Sequence, residues 1–315
     1  MPCKKCQTNP VIYYPGNNVK LCKSCFIKYF EKKALKTIRG FNLINKKDKI
    51  GVAVSGGKDS LTTLYILNKL AKKRKNLNII AILIDEGIKG YRNFTIKDAQ
   101  KFCKEHKIKL KIFSYKKEFD YTLDQMVKRL NKKPCSICGV FRRLLLNKKA
   151  RELGVNKLAT GHNLDDEAQS ILMNQFKRNT STSMRMGPKT GVEKHNLFIP
   201  RIKPLYLLTE KEVMTYAFLK GFNIKYTNCP YAPEAFRNNV RDLLNKLEEK
   251  HPGSKHGLIQ SFLEILPLLK SNYISDKKIK LCSQCQEPSS KETCQSCETL
   301  KLLKQKHLNI SFTSD

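Results

Sequence analysis

Apolar residues in the central part of the chain fall into short continuous runs, separated by longer segments with helical spacing. The runs are rich in Ile, Val and Leu, as expected for strands that are buried on both faces of a sheet. They cover residues 49–54, 78–85, 109–115 and 157–160. The segments with helical spacing cover residues 61–71, 94–106, 138–153 and 165–178. This alternation predicts an α/β fold with a doubly wound parallel sheet and helices on both faces.

The strands belong to a predicted sheet domain at residues 31–206, and the sequence on either side predicts three further units. These are a helical extension at residues 207–270 and two small cysteine-rich modules at residues 1–30 and 281–300. In the extension, Thr209 and Glu212 form a capping box. Its helices are predicted near 209–220, 234–250 and 255–270, and residues 271–280 are a predicted linker to the last module.

A glycine-rich segment, Ser-Gly-Gly-Lys-Asp-Ser at residues 55–60, directly follows the first strand. Gly56 and Gly57 allow a tight turn with exposed amides, and the following helix start adds unpaired N–H groups and a positive dipole end. Lys58 adds a full positive charge. The segment does not fit the Walker form, but it predicts a phosphate-binding loop. The alternative is a glycine-rich turn that holds no ligand.

A second polar motif, Gly-His-Asn-Leu-Asp-Asp-Glu-Ala at residues 161–168, follows the fourth strand. Parallel sheets bind ligands beyond the carboxyl ends of their strands, so this motif and the loop are expected to meet. One of its carboxylates could hold Mg²⁺ on ATP phosphates or position a reacting group. The alternative is helix capping by Asp165. His162 fits a core position as well as a functional one.

Eight of the twelve cysteines form two frames of paired CxxC motifs near the ends of the chain. They are Cys3, Cys6, Cys22 and Cys25 in the first frame, and Cys282, Cys285, Cys294 and Cys297 in the second. This spacing is typical of structural zinc, with four thiolates and no open position. We therefore expect two zinc ions, each supplying the folding energy of a small module. Free thiols or redox pairs are the alternatives.

A third, incomplete set of cysteines lies in the middle of the sequence. Cys135 and Cys138 form a CxxC pair, and their predicted partner is Cys229; Cys103 lies in an amphipathic helix and is expected in the core. Three thiolates leave one coordination position open on a metal. A third zinc, or a pair that cycles through a disulfide or persulfide, remains an alternative. The residues alone do not choose between metal and thiol chemistry.

Charge and composition narrow the class of protein. The chain has 315 residues, 40% of them hydrophobic, and its 61 Lys and Arg against 27 Asp and Glu give a net charge of +34. Such a charge favours a polyanionic partner, a nucleic acid above all. The alternative is a basic surface without such a partner, which reflects a genome biased towards Lys, Ile and Asn. The sequence has neither a signal peptide nor a run long enough to span a bilayer. Together with paired cysteines, this predicts no membrane contact and a reducing, cytoplasmic location.

The motifs and cysteine frames, taken in their order, resemble the TtuA/NcsA (CTU-type) tRNA 2-thiouridine synthetases, within the PP-loop ATP pyrophosphatase superfamily. The residues that carry this likeness include Pro-Cys-Ser-Ile-Cys-Gly-Val-Phe-Arg-Arg at 134–143 and Asn-Cys-Pro-Tyr at 228–231, and it extends over nearly the whole chain. The resemblance implies a fold like the adenine nucleotide hydrolases. It also implies ATP-dependent adenylation of a uridine C2 oxygen and its replacement by sulfur.

The resemblance also implies roles for individual residues. A 4Fe–4S cluster would lie on Cys135, Cys138 and Cys229, which would be catalytic together with Asp59 and Asp166. The implied ATP contacts are Ala53, Val54, Ser55, Gly56, Gly57, Lys58, Asp59, Ser60, Ile84, Gly161 and Asp166. Arg142, Arg143 and Arg178 are the predicted tRNA contacts. One departure is Phe-Lys-Arg-Asn at 176–179, where relatives carry an acidic residue, and it puts the role of that acid in doubt.

Several alternatives stay open at this point. Residues 139–143 resemble enzymes of the wobble uridine and residues 164–168 resemble those of the T-loop uridine, and the sulfur donor is either free sulfide or a ubiquitin-like carrier protein. A homodimer is as compatible with the sequence as a monomer. A cysteine persulfide without iron is a second route.

Other functions compete with thiolation of uridine. The trio of Cys135, Cys138 and Cys229 argues against lysidine formation and amidation, which need no thiolate. The outer frames argue against the enzymes that thiolate cytidine, which lack them. A nucleic-acid-binding zinc ribbon with a relict nucleotide fold is a non-enzymatic alternative, but the intact Lys58, Asp59 and Asp166 argue against it.

Overall fold

The computed structural model describes residues 2–74, 76–190, 196–222, 224, 229–232, 236–271 and 279–311. Its first part is a short antiparallel hairpin, β1 (Ile12–Tyr14) and β2 (Val19–Leu21), followed by helix α1 (Lys23–Gly40). Phe26, Phe30 and Ala34 are buried at a spacing of four, which places them on one face of α1. The helix therefore continues without a break from the first cysteine frame into the central part of the chain.

A five-stranded sheet, parallel throughout, forms the centre of the molecule, and its strand order is β5-β4-β3-β6-β7. The strands are β3 (Lys49–Val54), β4 (Asn78–Asp85), β5 (Leu110–Ser114), β6 (Lys157–Ala159) and β7 (Arg201–Ile202). The helices between them are α2 (Lys58–Lys73), α3 (Arg92–Glu105), α4 (Tyr115–Phe119), α5 (Leu123–Leu130), α6 (Pro134–Glu152), α7 (Leu164–Phe176) and α8 (Thr180–Ser183). The predicted α/β fold with a parallel sheet is confirmed.

The side chains of β4 show why the sheet carries helices on both faces. Ile80, Ile82 and Ile84 pack in one core with residues of α5 and α6. Ala81 and Leu83 point the other way, into a core shared with α2 and α3. Alternation with a period of two, apolar on both sides, is the reason that the strand reads as a continuous apolar run.

Some elements differ from the sequence-based boundaries. Among the central elements, strand β7 and helices α4, α5 and α8 were not predicted. Strand β7 and helices α4 and α8 are too short to show a clear period, whereas α5 buries Leu123, Met126 and Leu130 at helical spacing and was missed. Helix α6 begins at Pro134, four residues before the predicted start, since proline is favourable in the first helical turn. The CxxC pair of Cys135 and Cys138 consequently lies inside the first turns of a helix.

Three helices follow the sheet: α9 (Glu210–Leu219), α10 (Phe236–Lys250) and α11 (Ser254–Ser271). The predicted capping box of α9 is present. Helix α9 packs against α1 and α2, whereas α10 and α11 pack against α7. Most of the predicted linker, residues 272–278, lies outside the described residues. The domain boundaries stay a prediction.

The chain continues with a second hairpin, β8 (Lys280–Leu281) and β9 (Pro288–Ser289), and helix α12 (Gln295–Ser311). Leu303 of α12 is buried in the core beside α5 and α6. The two cysteine modules therefore attach to different cores, one through α1 and the other through α12. Among the described helices, none combines the length and the apolar character needed to cross a membrane.

Candidate active site

The glycine-rich loop turns sharply between β3 and α2, and its own serines hold it. Gly56 has a φ of +86°, and a Cβ at this position would lie 2.3 Å from the carbonyl oxygen of Thr95, so only glycine fits. The Ser60 hydroxyl donates to the Gly57 carbonyl over 2.9 Å and accepts from the Ser55 amide over 3.1 Å. The first turn of α2 thus presents its N-terminus from a fixed loop, as a phosphate site requires.

Lys58, the first residue of α2, contacts two carboxylates. Its Nζ lies 3.1 Å from Asp59 Oδ2 and 2.9 Å from Glu210 Oε1. Burial alone lowers the pKa of Lys58, but Asp59 and Glu210 together outweigh it and raise that pKa above its usual value. Lys58 is therefore a cation held at the mouth of the loop.

Asn163 connects the loop with the second polar motif. Its Nδ2 donates to Asp59 Oδ1 over 3.0 Å, and its Oδ1 accepts from the Asp166 amide over 3.1 Å as the N-cap of α7. A Cβ on Gly161 would lie 2.7 Å from the carbonyl carbon of Asp59, so this glycine lets β6 approach the start of α2. The expected meeting of the two motifs at the carboxyl edge of the sheet is confirmed.

The three acidic residues of the motif have different environments. Asp166 faces the loop, and burial followed by the negative charge of Asp59 raises the pKa of Asp166 to about 6. Asp165 accepts from the Glu210 amide over 2.7 Å and pairs with Lys255, and Glu167 pairs with Lys203. Capping by Asp165 is wrong, since Asn163 is the cap. Of the three, Asp166 is the carboxylate whose pKa is raised by the charge of Asp59.

The three central cysteines lie at the start of α6 and in the nearby segment 229–232. Cys135 is exposed, Cys138 and Cys229 are half-buried, and Cys135 Sγ lies 3.8 Å from the Tyr231 carbonyl oxygen. Burial raises the pKa of Cys138 to about 11, and burial and the neighbouring Cys135 raise that of Cys229. Cys103 is buried in the core, as expected.

The terminal cysteines are gathered much more tightly. Among the described residues, the two four-cysteine frames are the groups whose thiols all lie within 4.8 Å of one another. Cys6 Sγ lies 3.4 Å from Cys22 Sγ and 3.6 Å from Cys25 Sγ, and Cys285 Sγ lies 3.7 Å from Cys294 Sγ. Four such thiols can each ligate the same single metal ion.

Basic side chains lie between the three cysteines and Asp166. Arg142 follows Cys138 by one helical turn, Arg237 Nη1 is 3.9 Å from Asp166 Oδ1, and burial followed by Arg143 and Arg142 lowers the pKa of Arg201 to about 10. His162 is exposed, its Nδ1 lies 3.0 Å from the Thr160 hydroxyl, and partial desolvation followed by the charges of Lys203 and Arg237 lowers its pKa. Mutual repulsion among these groups is what a bound polyanion would relieve.

Most of the predicted ATP and tRNA residues lie along this edge, and Arg178 lies away from it. Ala53 and Val54 end β3, Ile84 is buried near the end of β4, and Gly161 follows β6. Arg142 and Arg143 lie beside the cysteines on α6. Arg178 lies past the end of α7, about 20 Å along the helix from its start. It is exposed and far from Asp166.

Several residues of the site were missed by sequence reasoning: Glu86, Arg92, Asn163, Arg201, Arg237 and Tyr231. Asn163 could have been found as the capping residue three positions before an acidic one. Glu86 follows a buried strand directly, at the edge where ligands bind. Arg201 gave no local signal.

Comparisons with known proteins agree with this geometry. A family model for the PP-loop domain matches residues 28–248. A probable sulfurtransferase from Methanocaldococcus jannaschii is 40% identical over 95% of this chain and 87% of its own length. The tRNA-5-methyluridine(54) 2-sulfurtransferase of Pyrococcus horikoshii is 38% identical over 100% of this chain and 98% of its own. The chain belongs to the TtuA/NcsA family of PP-loop proteins.

A solved structure of this family has the same fold. It is the U34-tRNA thiolase NcsA from Methanococcus maripaludis with its 4Fe–4S cluster, and its TM-score with this chain is 0.83. The two chains are 36% identical, and the match covers 96% of each. Family members of nearly equal identity to this chain are thus named for different uridines, position 54 and position 34. The resemblance to the TtuA/NcsA family that the motifs indicated is confirmed.

Proposed function

We propose that the protein is an ATP-dependent tRNA uridine 2-sulfurtransferase, which adenylates a uridine C2 oxygen and replaces it with sulfur. The observation that carries this proposal is the placement of two chemistries at one edge of the sheet. The loop around Lys58 suits a nucleotide, and the open set of Cys135, Cys138 and Cys229 suits sulfur. Basic side chains span the distance between them, where an RNA substrate must reach both.

In the first step, ATP and Mg²⁺ occupy the loop region. Lys58 would exchange its carboxylate partners for phosphate oxygens, and Asp59 and Asp166 would hold Mg²⁺, because hard cations prefer carboxylate oxygens. The implied contacts Ala53, Val54, Ile84 and Gly161 surround the nucleoside. The uridine oxygen forms a bond to the α-phosphorus, pyrophosphate leaves, and the N3 proton is lost.

In the second step, a sulfide ion, HS⁻, forms a bond to C2. The C2–O bond breaks, AMP leaves with the oxygen and the electron pair, and the proton of sulfide restores N3. A 4Fe–4S cluster on Cys135, Cys138 and Cys229 would leave one iron without a protein thiolate, and that iron could bind sulfide as a Lewis acid. The three thiols fit such a group, since they belong to one site yet are less tightly gathered than those of a one-ion site.

The terminal frames suit zinc in this proposal. Four ligands at about 2.3 Å from one tetrahedral ion have sulfurs about 3.8 Å apart. The observed separations of 3.4–3.7 Å match that edge closely. Zinc held by Cys3, Cys6, Cys22 and Cys25, and by Cys282, Cys285, Cys294 and Cys297, would fasten α1 and α12 to the central sheet.

The RNA is a tRNA, supported by the net charge of +34 and by the named activities of the relatives. Arg142 and Arg143 contact its phosphates beside the reacting uridine, and Arg178 contacts it farther away. Each phosphate contact should steepen the fall of log affinity with log salt by about 0.7–0.9. The target uridine, the sulfide or carrier donor, the homodimer and the cytoplasmic location stay predictions.

The test uses protein purified without oxygen, reconstituted with iron and sulfide, and supplied with ATP, Mg²⁺ and tRNA transcripts. Pyrophosphate and 2-thiouridine are measured, on transcripts that carry cytidine at position 34, at position 54 or at both. We expect pyrophosphate release that depends on tRNA and equals the amount of thiouridine formed. Both products should be lost in one of the two transcripts with a single cytidine, the one in which cytidine replaces the target uridine. Pyrophosphate without tRNA, or no thiouridine at all, would contradict the proposal. Full turnover by iron-free protein would favour the persulfide route instead.

A further inference from the structure

A buried carboxylate lies between the glycine-rich loop and the central cysteines. Glu86 directly follows β4, and its side chain is 1% exposed. Its main chain is fixed as well, since its carbonyl accepts from the Leu123 amide over 2.7 Å. A buried carboxylate is costly unless it is paired. Glu86 has two partners, and they lead in opposite directions.

The first partner leads to the nucleotide loop. Glu86 Oε2 pairs with Arg92 Nε at the start of α3, and Arg92 is itself buried. Arg92 Nη1 donates to the Ser55 carbonyl of the loop over 2.9 Å. It also contacts Thr95, whose carbonyl lies against Gly56. One guanidinium therefore contacts both the loop, at Ser55, and the α3 residue that packs against it, Thr95.

The second partner leads to the sulfur site. Glu86 Oε1 lies 3.7 Å from Arg142 Nη1, and Arg142 follows Cys138 by one turn of α6. The other end of Arg142 stays half-exposed and can meet a substrate. The start of α6 is fixed independently, because the Tyr115 hydroxyl donates to the Cys138 carbonyl over 2.9 Å.

These contacts form one continuous path, Ser55–Arg92–Glu86–Arg142, which ends beside Cys138. In the part of the chain that the structure describes, Glu86 is the one carboxylate within ion-pair distance of either arginine. A shift of the loop would act on Arg92 through the Ser55 carbonyl, and the shared carboxylate would pass that shift to Arg142. Without that carboxylate, the two arginines would repel each other and lose their fixed spacing.

We propose that Glu86 is a positioning residue that couples the nucleotide loop to the sulfur site. This inference rests on the proposed function. The adenylated uridine must be held where sulfide can displace AMP, and water competes with sulfide for the same carbon. By fixing Arg142 relative to Ser55, Glu86 ensures that adenylation is followed by sulfur transfer. Attack by water on C2 would return uridine and AMP, so ATP would be consumed without thiolation.

The first measurement is the ratio of thiouridine formed to pyrophosphate released. In Glu86→Gln we expect this ratio to fall about tenfold or more from that of the wild type, whatever the remaining rate of adenylation. A purely structural role would lower both products together and leave the ratio unchanged. Glu86→Asp keeps the charge but shortens the reach, and we expect a smaller fall, of about threefold; it replaces the Gln variant if that variant does not fold.

The second measurement needs no turnover. In protein prepared without iron but with zinc, the alkylation rate of the exposed Cys135 is followed with and without Mg-ATP. We expect ATP to change this rate at least about twofold in the wild type, and to have no effect in Glu86→Gln. The matched control is Glu287→Gln, which removes a buried carboxylate paired with Arg151 near the last module. It should lower stability but keep both the ratio and the ATP response.

The outcomes separate the two proposals. An unchanged ratio or a persistent ATP response in Glu86→Gln overturns the coupling role. Equal effects in Glu287→Gln overturn it too, because they would show a general result of lost buried pairs. A wild-type protein that releases no pyrophosphate with tRNA and forms no thiouridine rejects the proposed function, and the coupling inference with it.

Discussion

The terminal cysteine frames and the central cysteine site use the same side chain in opposite ways. At the ends of the chain, sulfurs lie 3.4–3.7 Å apart, and main-chain amides donate to them, as from Cys294 to Cys282. In the centre, Cys135 is exposed, and its partners come from a helix start and a segment some ninety residues later. Four thiolates fill the coordination positions of a tetrahedral ion and suit a structural site, whereas three thiolates leave one position open for chemistry.

The surroundings of the two kinds of site differ as well. The first frame packs with apolar residues, including Phe26 and Phe30, in a core shared with Tyr216 of α9. The central site is bordered by Arg142, Arg143 and Glu86. These two environments are the basis of the proposal that the outer thiols are structural and the central thiols reactive.

The largest expected effect tests the central half of this comparison. Cys138→Ser should lower thiouridine formation by about 100-fold or more, because serine does not replace a thiolate ligand or nucleophile. Pyrophosphate release should stay within about threefold and zinc at two per chain, measured by a phosphate-coupled assay and elemental analysis. Cys103→Ala, a buried thiol outside the site, is the control. Thiolation that survives in Cys138→Ser would mean that this cysteine is structural after all.

Lys58→Ala should affect the step that needs no thiol. Removing one positioned positive charge that stabilises the negative charge developing on the phosphates lowers a rate by about 10²–10³. Pyrophosphate release should therefore fall by about that factor. Affinity for tRNA should stay within about twofold, measured by filter binding. Lys69→Ala removes a charge from the same helix, where Lys69 pairs with Glu31, and should change neither. Weakened tRNA binding with normal pyrophosphate release would reverse the assignment.

Cys285→Ser tests the terminal half. It should remove about one zinc per chain and lower the free energy of unfolding by about 3 kcal/mol or more, since metal binding supplies folding energy. Thiouridine formed per folded molecule should be retained. Cys22→Ser should behave in the same way at the other end, and Ser283→Ala serves as the control. Stable protein with both zinc ions but no thiolation would make the outer cysteines catalytic.

The smallest effect on stability concerns the acidic pair beside Lys58. Folding raises the pKa of Asp166 from 3.8 to about 6, so the stability contributed by its neutral form is present below pH 3.8 and lost as pH rises through 6. Asp166→Asn should therefore be more stable than the wild type at pH 7.5. Because the side chain is 34% exposed, we expect only about 1 kcal/mol, and no difference near pH 4.

Urea unfolding at both pH values measures this difference, and pyrophosphate release should be lost, because the amide cannot replace a carboxylate on Mg²⁺. Asp242→Asn, an exposed carboxylate on α10, is the control. A lower stability of Asp166→Asn at pH 7.5 than the wild type would show that the carboxylate stabilises the free protein.

The sequence allowed prediction of features whose signal is local. The apolar runs predicted the four longer central strands, since strands buried on both faces leave little room for polar residues. The cysteine spacing predicted both frames, because a tetrahedral ion needs two knuckles, and the loop at 55–60 predicted the nucleotide end of the sheet.

Features whose signal is long-range were missed. Glu86 is buried by Arg92 and Arg142, and Arg142 lies 56 positions away along the chain. Locally, Glu86 looks like any acidic residue after a strand. Asp165 looked like a helix cap, but its partner Lys255 comes from α11, so its structural role depends on tertiary packing. Charge pairing across the fold decides such roles, and neighbouring residues do not show it.

The stacking of α1 on α9 has a consequence for the newly made chain. The rings of Phe30 and Tyr216 stack with centroids 4.1 Å apart, and the Tyr216 hydroxyl donates to Glu31, 185 positions earlier. At about 5–20 residues per second, a ribosome needs about 10–40 s to synthesise that interval. During this time the first frame can already bring its four cysteines together, and Phe30 can already pack in the core that includes Ile12 and Leu21, but its stacking partner Tyr216 is not yet made. The N-terminal module can therefore assemble its cysteine frame well before α9 is available for docking, and chaperone protection should matter most in that interval.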